Sequence, residues 1–140
     1  ARRNRTDETV EKGASLFKTI GCESCHVSRI ITGTHSKFSN LSNQDIAPYT
    51  DLLLHDMGEE LADNRPDYLA NGNEWRTQPL WGIGLIETVN NHSFLLHDGR
   101  ARSIEEAILW HGGEAQASQR RFKELDADAR NSLLTFLKSL

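Results

Sequence analysis

Most of what can be inferred about this chain starts from five residues near its amino-terminal end, Cys22-Glu23-Ser24-Cys25-His26. Cys-x-x-Cys-His is the pattern to which haem is attached in c-type haem proteins. Each thiol adds to one vinyl group of the haem, and the two intervening residues let both sulfurs reach the same ring edge. His26 then projects beneath the ring and ligates the iron. We therefore expect one covalently attached haem c held by Cys22, Cys25 and His26.

Three other interpretations of the cysteine pair are open at this stage. A thioredoxin-type redox pair would lie at a strand-to-helix junction of a βαβ unit, and the sequence shows no such alternation. A structural zinc site needs about four ligands and would have to recruit distant histidines. A disulfide between Cys22 and Cys25 leaves the adjacent His26 without a role. The complete pattern, in a chain whose only 2 cysteines are these, favours haem.

The segments on either side of the pattern predict helices at both ends of the chain. Thr6-Asp7 offers an N-cap for a first helix, whose apolar and small residues recur at helical spacing up to Gly21, where a glycine ends it. Asp126 can cap a final helix with a leucine-rich face. Small Gly13 would let that helix approach closely, and Phe17 would pack beside the haem. These features predict an all-α, cytochrome c-like domain over residues 1–140, with crossing terminal helices and long loops around the haem.

The middle of the chain, residues 27–100, is rich in Ser, Asn, Asp and Gly and shows no strand-like alternation longer than a few residues. After it, Ser103-Ile104-Glu105-Glu106 fits a capping box that starts a helix ending at Gly112-Gly113. Ile104, Ile108 and His111 share one face of that helix. His111 is thus expected at the end of an inward-facing apolar stripe.

The sixth ligand of the iron would separate electron transfer from catalysis. The chain has 6 histidines and 1 methionine. We select His111, because it lies on the inner face of a helix that precedes the last helix. Met57, in a polar loop, is the alternative, and an open position is the third possibility. His35 and His92 lie in Ser- or Asn-rich loops and are expected to be solvated.

Two arginines are candidates for contact with the haem propionates, which need positive charge or hydrogen-bond donors. Arg76 lies between Trp75 and Pro79, and Arg100 follows the turn His97-Asp98-Gly99. A surface position is the ordinary alternative for either one.

Composition excludes one class of protein and disfavours another. The longest apolar runs are only a few residues long, far short of the ~20 that a membrane-spanning helix needs. The formal charge of −4 does not favour nucleic-acid binding. The one basic cluster, Arg2, Arg3 and Arg5, is interpreted as a solvated terminus.

Five segments together resemble the C-terminal haem domain of di-haem oxidoreductases, peroxidase-like proteins related to the bacterial di-haem cytochrome c peroxidases. The segments are 21–26, 51–58, 74–82, 96–100 and 106–115. In those peroxidases, the position that matches His111 carries the methionine ligand of the electron-transfer haem, so the resemblance implies an iron ligand there. Family members carry two attachment motifs, whereas this chain has one. The resemblance therefore implies either the electron-transfer half of a larger enzyme or a monohaem relative.

These inferences lead to three functional hypotheses. The first is electron transfer through a six-coordinate, bis-histidine haem, with a redox protein or a second haem domain as partner. The second is peroxidase-type catalysis at an open iron, with His111 and Glu114 moving the proton. The third is a sensor that exchanges His111 for Met57. Because this kind of haem attachment follows export, we expect a periplasmic protein whose signal peptide is absent from this chain.

Overall fold

The structure is a computed structural model that describes residues 3–4 and 6–140. It has five α-helices: α1 (Glu8–Thr19), α2 (Ile86–Asn90), α3 (Ile104–Trp110), α4 (Gln116–Glu124) and α5 (Ala127–Ser139). Four short strands lie between α1 and α2: β1 (Ile30–Ile31), β2 (Asp45–Ile46), β3 (Leu54–Asp56) and β4 (Glu74–Arg76). Single 3₁₀ turns fill several of the connections, including Cys22–Ser24 and Gly113–Ala115.

The expectation of an all-α fold is wrong. β1 pairs antiparallel with β2, and β3 pairs antiparallel with β4, which gives two small two-stranded sheets. In the second sheet His55 lies opposite Trp75. Strands of two or three residues are too short to display the alternation of period two by which a strand is recognised. The chain is therefore a mixed structure in which the helices carry the core.

Helices α1 and α5 pack against each other at a very close approach. A Cβ atom added to Gly13 would lie 2.1 Å from the carbonyl oxygen of Ser132 and 2.6 Å from Cβ of Phe136. Only a residue without a side chain allows the two backbones to come this near. The main core cluster joins these helices to α4 and consists of Val10, Phe17, Ile20, Phe122, Leu133, Phe136, Leu137 and Leu140.

Side-chain caps fix where the main helices begin. Asp7 accepts a hydrogen bond from the backbone N–H of Thr9 at 2.8 Å, and Asp126 accepts one from Ala129 at 2.7 Å. Ser103 accepts from Glu106 N–H at 3.0 Å, as a capping box requires. The Glu106 carboxylate accepts from the N–H of Arg102 rather than from that of Ser103. α3 therefore starts where the sequence predicted, with the reciprocal bond displaced by one residue.

The described part of the amino-terminal segment is hydrogen-bonded to the carboxyl-terminal end of α5. The backbone N–H of Arg3 donates to the carbonyl of Ser139 at 2.7 Å, and its guanidinium donates to the carbonyl of Lys138. Arg3 thus contacts the carboxyl-terminal end of a helix, where positive charge is favourable. The other two members of the basic cluster, Arg2 and Arg5, lie outside the described residues.

Candidate functional site

The Cys-x-x-Cys-His segment forms one 3₁₀ turn directly after α1. Gly21 adopts a left-handed conformation with φ of 93° and separates the helix from this turn. Just after this turn, Cys22–Ser24, the backbone N–H of His26 donates to the carbonyl of Cys22 at 3.0 Å. No disulfide joins Cys22 to Cys25. Burial raises the pKa of Cys22 to about 11, because the thiol packs against the main core.

His26 is partly buried and is oriented by the loop before Asp51. Its Nδ1 lies 3.1 Å from the carbonyl oxygen of Tyr49. Burial lowers the pKa of His26 to about 4, so the ring is neutral near pH 7. A neutral ring that donates Nδ1–H to a carbonyl keeps a lone pair on Nε2. This tautomer is the one in which Nε2 can ligate a metal.

His111 has the same arrangement at the end of α3. Its Nδ1 lies 2.7 Å from the carbonyl oxygen of Ala107, one helical turn earlier. Burial lowers its pKa, so this ring is also neutral and also keeps Nε2 for a metal. The carbonyl of Ala107 in α3 therefore orients His111 in the same way as the carbonyl of Tyr49 orients His26.

The fold brings the two histidines, 85 positions apart in the sequence, to the same place. Their ring centres are 6.4 Å apart and their planes are inclined by 44°. Two metal–imidazole bonds of about 2 Å each, together with the half-width of each ring, account for a separation of this size. The residues present therefore fit a group whose metal takes one axial imidazole on each side.

Met57 lies close to His111 through its main chain. A Cβ atom added to Gly112 would lie 2.8 Å from the Met57 carbonyl oxygen. The backbone N–H of Met57 donates to the carbonyl of Asn73 at 2.9 Å. The two candidates for the sixth position are thus carried on neighbouring backbones. The ring of His111 lies beside that of His26, as does the ring of Phe17, each at 6.4 Å between ring centres.

The two arginines selected for the propionates differ in position. Arg76 is exposed on β4 and its guanidinium donates to Gln78 at 3.3 Å. Arg100 lies 4.9 Å from the ring centre of Trp110, the residue before His111. Its charge is already paired, since its Nε donates to the Asp98 carboxylate at 2.6 Å. Arg100 therefore contacts the neighbour of His111, Trp110, and Arg76 is on the surface.

A cluster that sequence reasoning did not identify lies beside Cys25. His55 Nε2 is 2.8 Å from the Asp51 carboxylate, and His55 Nδ1 is 2.8 Å from the Glu114 carboxylate and 3.8 Å from Cys25 Sγ. Asp51 and His55 are four positions apart in a segment singled out above. Their pairing with Glu114 joins residues 59 positions apart, which no local pattern could reveal.

Charge strengthens the contacts of this cluster. The hydrogen bond to Glu114 raises the pKa of His55, aided by Asp51, and the bond to His55 lowers the pKa of Glu114. Burial opposes ionisation of Asp51, but hydrogen bonds from Leu53 N–H, His55 and Thr77 outweigh it and lower its pKa. The cluster is therefore an imidazole held between two carboxylates that favour its protonated form.

The ligand atoms of Cys25, Asp51 and His55 lie within 4.8 Å of one another, the only such metal-ligating group found in the described residues. Cys22 is not a member of this group. A zinc site that uses both cysteines therefore does not fit the described part of the chain.

A cleft of about 370 Å³ opens on the side of α3 that carries Trp110 and His111. Glu60 and Glu106 are among the residues that line it.

Within the described residues, no helix has the length and apolar character required to cross a lipid bilayer.

A Cys-x-x-Cys-His sequence, two neutral histidines with ring centres 6.4 Å apart and a helical core beside them are together typical of a haem-binding redox protein. A comparison with protein families identifies its family. Residues 1–140 match the family described as "Di-haem oxidoreductase, putative peroxidase". The chain belongs to this family and has a haem-related redox role. No curated protein and no solved structure matches the chain.

Proposed function

We propose that the chain is one electron-transfer domain with one covalently attached haem c, whose iron takes His26 and His111 as axial ligands. The observation that carries this proposal is the pairing of the two rings at 6.4 Å, each with Nδ1 on a backbone carbonyl. When bound, the haem supplies one-electron chemistry, because its iron can be ferric or ferrous.

Cys22 and Cys25 would hold the group through thioether bonds. Each S–H adds across a vinyl C=C bond, so a carbon–sulfur bond forms and the hydrogen goes to the neighbouring carbon without net oxidation. The 3₁₀ turn Cys22–Ser24, with Cys25 as its C-cap, supports this role, because it brings both cysteines into one turn of backbone immediately before His26. Arg100 and Arg76 remain candidates for the propionates.

Two histidine ligands give a lower reduction potential than a histidine–methionine pair, since methionine raises the potential. The partner would be a redox protein or the second haem domain that the family description suggests. Since attachment of this kind follows export, we place the protein in the periplasm.

Ferrous carbon monoxide binding tests the proposal. A six-coordinate iron has no free position, so the ferrous protein should bind carbon monoxide slowly and His111→Ala should bind it rapidly. His97→Ala is the matched control, because His97 stacks on Trp75 at 3.6 Å between ring centres and is not paired with His26. Rapid binding by the unmutated protein would contradict bis-histidine ligation.

Peroxidase-type catalysis is the second candidate, favoured by the family description. The acid–base pair His111 and Glu114 is not favoured, because Glu114 bonds to His55 and Asp56. Steady-state peroxide turnover tests this candidate. A rate well above that of free haem would support it, and a rate no greater would reject it.

A further inference from the structure

We propose that Glu114 is a positioning residue that fixes His111 relative to His26, by fastening the segment after His111 to the end of β3. The proposal rests on the axial roles proposed above for the two histidines. It assigns functions to Glu114, His55 and Asp51 that go beyond ligation itself.

Glu114 makes two hydrogen bonds to consecutive residues of one strand. One carboxylate oxygen lies 2.8 Å from Nδ1 of His55, and the other accepts the backbone N–H of Asp56 at 3.0 Å. Glu114 belongs to the 3₁₀ turn Gly113–Ala115, which begins two residues after His111. Any displacement of that turn relative to β3 must therefore break a bidentate, charge-assisted contact.

The contact continues to the haem-attachment segment. Beyond His55, the Asp51 carboxylate holds Nε2 at 2.8 Å, and the side chains of both residues are mostly buried, at 16% and 12% exposed. The Cys25 sulfur lies 3.8 Å from the same imidazole. A continuous line of contacts thus runs from Glu114, three residues after His111, to Cys25, one residue before His26.

Glycines let the backbones meet without intervening side chains. A Cβ atom at Gly113 would lie 2.1 Å from the carbonyl oxygen of Asp56, and one at Gly58 would lie 3.0 Å from the N–H nitrogen of Gly113. The backbone of the segment after His111 therefore packs directly against the end of β3. Glu114 is the side chain that holds these two segments together through its hydrogen bonds, and its carboxylate is about half exposed, at 55%.

The test compares the holoprotein with Glu114→Ala, His55→Ala and the double variant. If Glu114 fixes His111, its loss should change the g-values of the low-spin ferric signal, because the inclination of the imidazoles is no longer fixed. It should also raise the rate at which ferrous haem binds carbon monoxide by about tenfold, the factor for ~1.4 kcal/mol. Glu124→Ala, an exposed glutamate at the end of α4, is the matched control.

The double variant separates one contact from two independent effects. If Glu114 and His55 act through their mutual bond, the rate change in the double variant should be well below the product of the two single changes. Multiplicative changes would overturn the proposal. So would unchanged g-values and rates in Glu114→Ala, even if its melting temperature fell. A high-spin signal in the unmutated protein would instead reject the proposed ligation itself.

Discussion

At the scale of single residues, the main feature is the hydrogen bond that orients each ring of the pair His26 and His111. A backbone carbonyl engages Nδ1 of His26 and another engages Nδ1 of His111, and burial keeps both rings neutral. Hydrogen bonds of this kind fix the tautomer and the orientation of a metal-binding histidine. The main chain thus leaves Nε2 of each ring as the nitrogen that the proposed ligation would use.

The alternative ligand Met57 gives the first prediction. Met57→Leu keeps similar volume and removes the sulfur, so the visible absorption and the reduction potential should stay unchanged if His111 is the ligand. Spectroelectrochemical titration of the two proteins checks this. A variant that becomes five-coordinate would show that Met57 ligates the iron.

The cysteines give the second prediction. A protein with two thioether bonds should retain its haem on a denaturing gel, and Cys25→Ala should retain it through Cys22 alone, with a shifted reduced-state spectrum. Cys22→Ala together with Cys25→Ala should lose the haem on the gel. Haem-dependent peroxidase staining measures this, and the unmutated protein losing its haem would contradict covalent attachment.

At the scale of elements, the contact of α1 with α5 is set by one glycine. Gly13→Val would press a branched side chain against Ser132 and Phe136, which lie 2.1 and 2.6 Å from an added Cβ. Overpacking of this kind costs about 1–3 kcal/mol. We expect the melting temperature to fall by several degrees, as measured by circular dichroism.

Gly33 is the matched control for that substitution, because an added Cβ there has no atom within 4 Å. Gly33→Val should therefore leave the melting temperature nearly unchanged. Equal losses in the two variants would mean that the close approach of α1 and α5 does not account for the effect.

A second glycine tests the close packing of the segment after His111 against the end of β3. Gly113→Ala places a methyl group 2.1 Å from the Asp56 carbonyl oxygen and also strains a residue with φ of +50°. Gly82→Ala strains a residue with φ of +80° but meets no atom within 4 Å. The melting temperature of Gly113→Ala should fall further than that of Gly82→Ala, since only the former separates the two backbones. Equal falls in melting temperature would contradict the claim that close packing of the two backbones requires glycine at position 113.

Helices α1, α3 and α5 could be predicted from the sequence, because the signals that start and stop them are local, whereas α2 lies in a stretch interpreted as loop and has no side-chain cap. Asp7, Ser103 and Asp126 each accept the capping bond that their positions predicted. The strands could not, because β3 and β4 pair over a separation of about twenty residues and are three residues long. The same limit hid the bond of His55 to Glu114, whereas Cys22, Cys25 and His26 follow one another within a single motif.

At the scale of the whole molecule, the fold gathers three distant segments around one site. The attachment turn after α1, the end of β3 and the segment after α3 meet through His26, His55 and His111. Each of these segments is anchored to a regular element, so the site is held by the framework of the protein. A redox centre benefits from such rigidity, because ligands that stay in place keep the geometry of both oxidation states similar.

The chain belongs to a di-haem family but has one Cys-x-x-Cys-His motif. This difference raises the question of whether a second haem domain works with it. If this domain exchanges electrons with a second haem domain, the two should associate through a transient interface of modest area. The net charge of −4 would then favour a partner with a basic docking surface and a rate that falls with added salt.

The measurement that tests the central claim most directly is low-temperature electron paramagnetic resonance of the ferric holoprotein beside its His111→Ala variant. We predict a low-spin signal typical of two imidazole ligands in the unmutated protein and its loss in the variant. A high-spin signal in the unmutated protein would show an open iron position. That result would contradict the assignment of His26 and His111 and would favour peroxidase-type catalysis.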